Sequence, residues 1–389
     1  MIIKQAEKLN FVSEYYFSIK LQEIAKLNAE GKNIINLGIG SPDLMPSENI
    51  IKELYLSSLQ ENSHAYQSYK GTDFLRKEIA NFYKKTYAVE LDFATEILPL
   101  MGSKEGIMHI SMSFLNTGDL VLVPNPGYPT YTSVSNLAGA QICYYNLRED
   151  KNWDIDFEEL EKSDLDKVKI MWINYPHMPT GATIADESYI KLIELAKKHH
   201  FLIVNDNPYS LILNGKPKSI LVYEGAKEVA LELNSLSKSH NMAGWRIGWV
   251  SGASDYISTI LKFKSNMDSG MFLPLQKAAA EALANSDSLV RQNNEIYAQR
   301  RALVFEIFDL LNCKYSENQS GLFIWAKLPD NISSSEILVE QLLQNAGVFI
   351  TPGFIFGSNG ERFVRISLTS KPDVFRQAKQ RIETFFAKK

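Results

Sequence analysis

A short segment of the chain combines side chains that could together bind a phosphate and form an imine. It reads Ser235-Leu236-Ser237-Lys238, and Arg246 follows eight residues after the lysine. Hydroxyl groups and a guanidinium are good hydrogen-bond donors to a phosphate, and a lysine amine beside them can condense with an aldehyde. Most lysines are simply exposed to solvent, but here the serines, the lysine and the arginine lie together between two apolar stretches of the sequence. The segment therefore indicates phosphate binding and imine chemistry at one site.

Two further segments could supply polar groups to such a site. The sequence Asp-Asn-Pro-Tyr at 206–209 follows the apolar run 202–205, and Gly-Ser-Lys-Glu-Gly at 102–106 lies between a predicted strand and a predicted helix. Backbone N–H groups at the start of a helix bind phosphate well. Each segment also has a simpler interpretation, because the first could be a capped turn and the second a tight strand–helix connection. Neither is decisive alone.

The elements that must position these groups can be read from the alternation of apolar and polar residues. Between about residues 95 and 265, short β-rich runs alternate with segments of helical length, such as 186–200, where Ile190, Ile193 and Ala196 recur at three-residue steps. This alternation predicts a large α/β domain with a mostly parallel sheet flanked by helices. The predicted strands are 97–101, 119–123, 141–145, 169–174, 202–205, 229–233 and 247–251.

The C-terminal part has a different pattern. Residues 276–311 predict a long helix or a pair of helices, and shorter helical and strand-like segments follow up to a final helix from Pro372. This pattern predicts a smaller α+β domain. We expect an N-terminal arm at 1–45 that packs with the small domain, a large domain at 46–275, and the small domain at 276–389.

The composition bounds the class of protein. The chain has 389 residues, 45% of them apolar and 22% charged, with a formal net charge of -4, so no excess of basic residues indicates nucleic acid or an anionic membrane. No apolar run approaches the roughly 18 residues of a membrane span, and charges interrupt the N-terminus, so no secretory signal is expected. The two cysteines, Cys143 and Cys313, form no CxxC pattern, and the six histidines show no metal-ligand spacing. We expect a cytoplasmic protein without a metal site.

The lysine segment resembles a known motif. Ser-x-Ser-Lys followed by Gly-x-Arg-x-Gly, at 235–248, is similar to the pyridoxal-phosphate lysine motif of the class I/II aminotransferases, in the fold-type I superfamily. The resemblance implies that Lys238 forms the Schiff base with pyridoxal 5′-phosphate and that Ser235, Ser237 and Arg246 hold the phosphate. It extends over nearly the whole chain, from about residue 38 to 368, with further motifs in the family order.

These further motifs assign roles around the cofactor. The resemblance implies that Asp206 pairs with the pyridine nitrogen and that Tyr209 bonds the ring oxygen O3′. A buried carboxylate keeps the ring nitrogen protonated, which makes the ring an electron sink. The same resemblance implies that Ser103 and Lys104 offer backbone amides to the phosphate and that Tyr128 stacks on the ring.

Other matches concern the substrate and a second subunit. Arg365 matches the arginine that grips the substrate α-carboxylate as a bidentate fork. The segment 38–43 lacks the third glycine of a dinucleotide loop, and Pro42 interrupts the expected helix start; it resembles the family segment in which Gly40 offers its backbone to the carboxylate. Tyr66 matches the tyrosine that reaches the partner's phosphate, which implies a homodimer with shared active sites.

One position departs from the family pattern. The family commonly reads Asn-Pro-Thr-Gly before the strand of the aspartate, and its asparagine bonds O3′ and the substrate carboxylate. Residues 178–181 of this chain read Met-Pro-Thr-Gly. Asn174, His177 or an ordered water could replace the missing hydrogen bond, in which case Met178 would be packing only.

The resemblance predicts an aminotransferase that moves an amino group between an amino acid and a 2-oxo acid by a ping-pong mechanism, with Lys238 as the proton-transfer residue. The motifs leave β-elimination, as in carbon–sulfur lyases of the same fold, as an alternative. A regulatory protein with an aminotransferase-like domain would need a DNA-binding helix-turn-helix, and none precedes residue 38. No second arginine can be assigned to the substrate site, so nothing in the sequence indicates a dicarboxylate substrate. Six residues could line an apolar pocket, although core packing is the more frequent role of such residues: Tyr15, Tyr16, Phe17, Met271, Phe272 and Phe354.

Overall fold

The computed structural model describes residues 2–12 and 14–387 of the chain. Its α-helices are α1 (Tyr16–Ala29), α2 (Glu48–Ser58), α3 (Asp73–Tyr87), α4 (Ser103–Phe114), α5 (Pro129–Leu137), α6 (Phe157–Leu160), α7 (Asp186–His199), α8 (Ala226–Val229), α9 (Leu236–Ser239), α10 (Ser254–Lys264), α11 (Leu273–Ala284), α12 (Ser286–Leu310), α13 (Ser335–Gln341) and α14 (Pro372–Phe386). Its strands are β1 (Ile35–Asn36), β2 (Ile97–Leu100), β3 (Leu120–Asn125), β4 (Gln141–Asn146), β5 (Val168–Ile173), β6 (Leu202–Asp206), β7 (Ala230–Ser235), β8 (Gly248–Gly252), β9 (Lys314–Tyr315), β10 (Phe323–Lys327), β11 (Val348–Phe349), β12 (Thr351–Pro352) and β13 (Phe363–Ser367).

A seven-stranded sheet with the order β2-β8-β7-β6-β5-β3-β4 forms the centre of the fold. The neighbouring pairs from β7 to β4 are parallel, whereas β8 runs antiparallel to both β7 and β2. Each of the seven predicted strands coincides with one of these strands to within two residues at either end. The predicted fold class, a mostly parallel sheet flanked by helices, is therefore confirmed.

Helices cover both faces of this sheet. One buried cluster joins the sheet to α3, α7 and α11, and another joins its opposite face to α4, α5 and α10. Strands β6, β7 and β8 are buried at every position, as expected for strands between two helical layers. Burial on both faces explains why β6 begins with the apolar run Leu202–Val204, whereas β7 includes the buried polar residues Glu232 and Asn234.

Helix α7 shows how the sequence pattern had to be corrected. Its buried residues include Tyr189, Leu192, Ile193 and Ala196, which follow the i, i+3, i+4, i+7 spacing of one helical face. Ile190 was expected on that face but is exposed. A three-residue step drifts around a helix of 3.6 residues per turn, so Ile190 lies beyond the edge of the buried stripe.

The C-terminal part forms a smaller α+β unit, as predicted. The predicted helical stretch 276–311 is a pair, α11 and α12, and a four-stranded sheet follows with the order β12-β13-β10-β9. Strand β1 pairs in parallel with β11, and Ile24 and Leu27 of α1 join the buried cluster of this unit. The N-terminal arm thus packs mainly on the C-terminal part, although Phe11 also accepts a hydrogen bond from Asn136 of α5.

None of the helices in the ranges 2–12 and 14–387 combines the length and the apolar character needed to cross a membrane. The carboxyl ends of β5, β6 and β7 meet at one edge of the large sheet. In open α/β sheets, ligands bind at this edge, so the side chains that end these strands define the region of interest.

Candidate active site

One cavity brings together almost all of the side chains that the sequence indicated. It has a volume of about 690 Å³ and lies at the carboxyl ends of β6 and β7, where residues of α1 also line it. The predicted site residues in its lining are Gly40, Ser103, Lys104, Tyr128, Asp206, Tyr209, Ser235, Ser237, Lys238, Arg246 and Arg365. Tyr66 does not line this cavity, and its side chain is 90% exposed.

Lys238 lies on the short helix α9, directly after strand β7. Its Nζ donates a hydrogen bond to the carbonyl oxygen of Gly40 at 2.9 Å. Burial, together with the charges of the nearby cations Arg365 and Arg246, lowers the pKa of Lys238 to about 8, although the charge of Asp206 opposes this shift. A substantial fraction of this amine is therefore neutral near pH 8, which a lysine nucleophile or general base requires.

Asp206 ends strand β6 and is only 5% exposed. Its Oδ2 accepts a hydrogen bond from the Tyr131 hydroxyl at 2.9 Å, and its Oδ1 has no hydrogen-bond partner in the described part of the chain. Burial raises the pKa of Asp206 to about 6, although the Tyr131 bond and the Lys238 charge lower it. A buried carboxylate oxygen without a donor is suited to a cationic N–H group of a ligand.

Tyr131 lines the cavity and contacts Asp206, which the sequence patterns did not indicate. Its ring is buried and stacks on Trp172, with centroids 5.1 Å apart and planes 4° from parallel. This stacking fixes the direction of the hydroxyl toward Asp206. Tyr131 is 75 positions away from Asp206 in the chain, and no local spacing signals that the two residues meet.

The two serines of the lysine segment form a small hydroxyl cluster. Ser235 Oγ lies 2.8 Å from Ser237 Oγ and accepts the backbone N–H of Ser237 at 3.1 Å. Ser235 is the N-cap residue of α9. Both hydroxyls therefore lie at the start of a helix, next to the backbone amides of its first turn.

Arg246 packs on the turn that begins helix α4. A Cβ atom added at Gly102 would lie 2.3 Å from Arg246 Nη2, and Gly102 has φ of +90°, so this close approach requires glycine. The guanidinium donates to the carbonyl of Ala243 at 3.0 Å and pairs with no carboxylate of the described residues. Together with the N-terminal amides of Ser103 and Lys104 on α4, it forms a site suited to a phosphate.

Arg365 is a buried cation that forms no ion pair with the described residues. It lies in the middle of β13, is 3% exposed, and donates to the carbonyl of Gly38 at 3.0 Å. Its guanidinium carbon lies 3.8 Å from the ring centroid of Phe323 and 4.7 Å from that of Phe356. Burial lowers its pKa to about 10. Since no ion-pair partner occurs among residues 2–12 and 14–387, the side chain is placed to receive an anionic ligand.

Aromatic residues surround the remaining cavity wall. Tyr209 contacts Phe323, and burial raises the pKa of Tyr209, so its hydroxyl stays a donor. Of the six candidates for an apolar pocket, Tyr15 and Phe17 line the cavity, whereas the other four do not. Phe17 also packs against the buried cluster of the C-terminal unit, so for this residue both expected roles apply. The role of Tyr15 and Phe17 depends on where α1 packs, and the local sequence does not contain that information.

Three potential metal ligands meet outside the cavity. The ligand atoms of Glu105, His109 and Asp268 lie within 4.8 Å of one another. Lys264 Nζ lies 2.6 Å from Asp268 Oδ2 and is almost fully buried. The ammonium group of Lys264 therefore already pairs with one of the two carboxylates of this cluster.

Comparison with known proteins shows what the chain is similar to. Residues 32–382 match the family model described as "Aminotransferase class I and II". An LL-diaminopimelate aminotransferase of Halothermothrix orenii is 38% identical over 98% of both chains, and one of Dehalococcoides mccartyi is 39% identical over 94% of this chain and 95% of its own.

Solved structures agree with this result. Substrate-bound BacF from Bacillus subtilis superposes with a TM-score of 0.94 at 35% identity, covering 98% of both chains. An aminotransferase from Staphylococcus aureus has a TM-score of 0.89 at 29% identity, over 98% of this chain and 99% of its own. The two LL-diaminopimelate aminotransferases and the aminotransferase from Staphylococcus aureus favour amino-group transfer over the elimination alternative. The chain belongs to the class I and II aminotransferases.

Proposed function

We propose that the cavity binds pyridoxal 5′-phosphate and that this aminotransferase uses Lys238 as its proton-transfer residue. The observation that supports this proposal is a set of charged side chains that line one cavity and form no ion pair at contact distance with any described residue. Asp206 offers an unpartnered carboxylate oxygen, Arg246 lies on the α4 turn, and Lys238 has a lowered pKa between them. This donor and acceptor set fits a ligand with a phosphate at one end and a basic ring nitrogen at the other.

Each group would hold a different part of the cofactor. Asp206 would accept the ring N–H, Tyr209 would donate to O3′, and Tyr128 would pack on the ring face. The phosphate would be bound by the hydroxyls of Ser235 and Ser237, the guanidinium of Arg246 and the backbone amides of Ser103 and Lys104.

Different residues would bind the substrate carboxylate, transfer the α-proton and keep the ring nitrogen protonated. When bound, the cofactor withdraws electrons from the substrate α-carbon, which makes removal of the α-proton easier. Arg365 would bind the substrate carboxylate and so fix the α-carbon relative to Lys238. Lys238 Nζ, held 2.9 Å from the Gly40 carbonyl oxygen, would accept the α-proton and then donate it to the cofactor. The anionic charge of Asp206 would keep the ring nitrogen protonated throughout.

A donor and acceptor panel tests the proposed transfer reaction. LL-diaminopimelate, aspartate, phenylalanine and cysteine are offered as amino donors with several 2-oxo acids as acceptors. We expect a 2-oxo acid to form from the donor in proportion to the amino acid formed from the acceptor, with ping-pong kinetics. Release of ammonia and pyruvate from cysteine, without any acceptor, would instead support elimination.

We also propose a homodimer in which each subunit completes the partner's site. Tyr66 is exposed and lies outside the cavity of its own chain, together with exposed apolar side chains at Met267 and Phe272. The loops that carry them are packed together, because an added Cβ at Gly270 would lie 2.5 Å from the carbonyl oxygen of Gln67. A second copy that covers this surface would bury these side chains and bring Tyr66 to the other subunit's phosphate.

Subunit mixing tests the shared site. Tyr66→Phe and Lys238→Ala proteins are each expected to have low activity. When the two are mixed and allowed to exchange subunits, a hybrid dimer contains one site with both residues intact, so about a quarter of the wild-type activity should return if exchange is random and the Tyr66→Phe sites are silent. A mixture no more active than its parents, despite exchange shown by mass spectrometry, would refute the sharing.

Two further assignments belong to this proposal. Cys143 and Cys313 are both free thiols, which supports a reducing compartment such as the cytoplasm. Separate buried clusters around the large sheet and around the C-terminal unit support the division into an arm at 1–45, a large domain at 46–275 and a small domain at 276–389. Residues 1, 13, 388 and 389 of these ranges lie outside the described residues.

A further inference from the structure

Met178 is part of the wall of the cavity and contacts Arg365 directly. Its side chain is 6% exposed, and its Sδ lies 3.3 Å from Arg365 Nη1 as a hydrogen-bond acceptor. The backbone N–H of Met178 donates to Asn174 Oδ1 at 2.8 Å, which fixes the start of the side chain. The thioether thus takes the position next to the guanidinium at which a polar side chain could otherwise meet a ligand.

The other polar residues of this loop are largely committed to bonds within the protein. Asn174 also lines the cavity, but its Nδ2 donates to the carbonyl of Asp206 and its Oδ1 accepts from the backbone N–H of Met178, so only one N–H of this amide remains for a ligand. His177 Nδ1 lies 2.8 Å from Thr180 Oγ1, and His177 does not line the cavity. Burial lowers the pKa of His177 to about 3, so this ring is neutral.

A thioether has a specific effect on a buried guanidinium. Sulfur is a weak acceptor and carries no N–H donor, so it occupies Nη1 without neutralising the charge. The aromatic rings of Phe323 and Phe356 also hold the cation in place without a counterion. Arg365 is therefore fixed in position and still requires an anion.

We propose that Met178 limits the affinity of the site for carboxylates: the thioether at position 178 supplies no hydrogen-bond donor and leaves the substrate carboxylate to Arg365. This inference rests on the proposed function, in which Arg365 binds the carboxylate and Tyr209 is the side-chain donor to the ring oxygen. It follows that the site binds carboxylates more weakly than the same site with an amide side chain at position 178. A single amide introduced at position 178 increases their affinity.

The test compares Met178→Asn with Met178→Leu and with the wild type. The first readout is the dissociation constant of 3-phenylpropionate, a carboxylate without an amino group, measured by calorimetry on the cofactor-loaded enzyme. Met178→Asn is expected to bind it about tenfold more tightly, because a hydrogen bond to a charged group is added. Met178→Leu keeps the volume without adding a donor, and its dissociation constant is expected within about threefold of the wild-type value.

The second readout is the pH midpoint of the visible absorption of the bound cofactor. An amide that donates to the ring oxygen stabilises its anionic form, so the midpoint of Met178→Asn is expected on the order of one pH unit below that of the wild type. Met178→Leu is expected to titrate with the wild type. In steady-state assays, Met178→Asn should lower KM for the amino donor with little change in kcat, as for added uniform binding.

The possible results separate clearly. Met178→Gln, which has nearly the length of methionine, supplies the donor if asparagine is too short, and a gain in carboxylate affinity by either amide supports the proposal. No gain by either amide, or an equal gain by leucine, overturns it, as does loss of cofactor from both amide variants. If the wild type itself shows no visible cofactor absorption, the proposed function fails, and calorimetry with 3-phenylpropionate on the same proteins still decides whether Met178 limits carboxylate binding to Arg365.

Discussion

Replacing Lys238 with alanine is expected to lower kcat by at least about four orders of magnitude, because it removes both the amine that anchors the cofactor and the general base. The same variant should lose a chemical signature. After borohydride treatment of the loaded wild type, mass spectrometry should find the reduced cofactor on the peptide that contains Lys238. The Lys238→Ala protein should carry no such adduct.

Lys104 provides the control for this experiment, since it is another lysine in the lining of the same cavity. Lys104→Ala should still carry the reduced adduct on Lys238, whatever its activity. If Lys238→Ala instead forms a reducible adduct as readily as the wild type, another lysine anchors the cofactor and the assignment of Lys238 is wrong.

Replacing Asp206 with asparagine is expected to have opposite effects on activity and on stability. Activity should fall by about 10²–10³-fold, because a preorganised charge that stabilises the protonated ring nitrogen is lost. The cofactor-free protein, in contrast, should become more stable at neutral pH. Burial raises the pKa of Asp206 to about 6 in the folded protein from an ordinary value of 3.8, so ionisation of this side chain opposes folding.

The pH dependence of this stability has a definite sign. A carboxyl whose folded pKa is raised favours the folded state below its ordinary pKa, and this contribution is lost as the pH rises toward 6. Relative to the wild type, the free energy of unfolding of Asp206→Asn should therefore increase between about pH 4 and pH 6, by on the order of 1–3 kcal/mol, and then remain constant. Urea unfolding of both cofactor-free proteins across this range measures the difference.

Asp330→Asn serves as the matched control, because the Asp330 side chain is fully exposed. Relative to the wild type, its free energy of unfolding should change less with pH than that of Asp206→Asn over the same range. An Asp206→Asn difference that is equally flat would mean that Asp206 is not held in the folded protein with a raised pKa.

The sequence predicted those parts of the site that are local in the chain. Residues at the carboxyl ends of strands, such as Asp206 and Ser235, could be recognised because an apolar run precedes a polar turn. The bond from Tyr131 to Asp206 and the contact of Met178 with Arg365 were not predictable, since they join residues 75 and 187 positions apart. Their directions depend on tertiary packing, here on the stack with Trp172 and on the aromatic rings around the guanidinium.

The same distinction applies to the fold. Strand positions followed from runs of buried residues that are continuous in the chain, and the helix pair 276–311 followed from its length. The cavity-lining role of α1 did not follow, because it arises where the N-terminal arm meets the C-terminal unit. The exposed position of Ile190 shows that even a local pattern fails when the assumed period differs from that of the helix.

The pairing of β1 with β11 affects the order in which the chain can fold during synthesis. Ile35 of β1 pairs with Val348 of β11, so the N-terminal arm leaves the ribosome long before its partners exist. The large sheet, built from strands between Ile97 and Gly252, is complete much earlier. Until the segment from Val304 to Leu368 has been synthesised, the buried cluster that Ile24, Leu27 and Ile35 join is incomplete, and these apolar side chains remain available for non-native contacts.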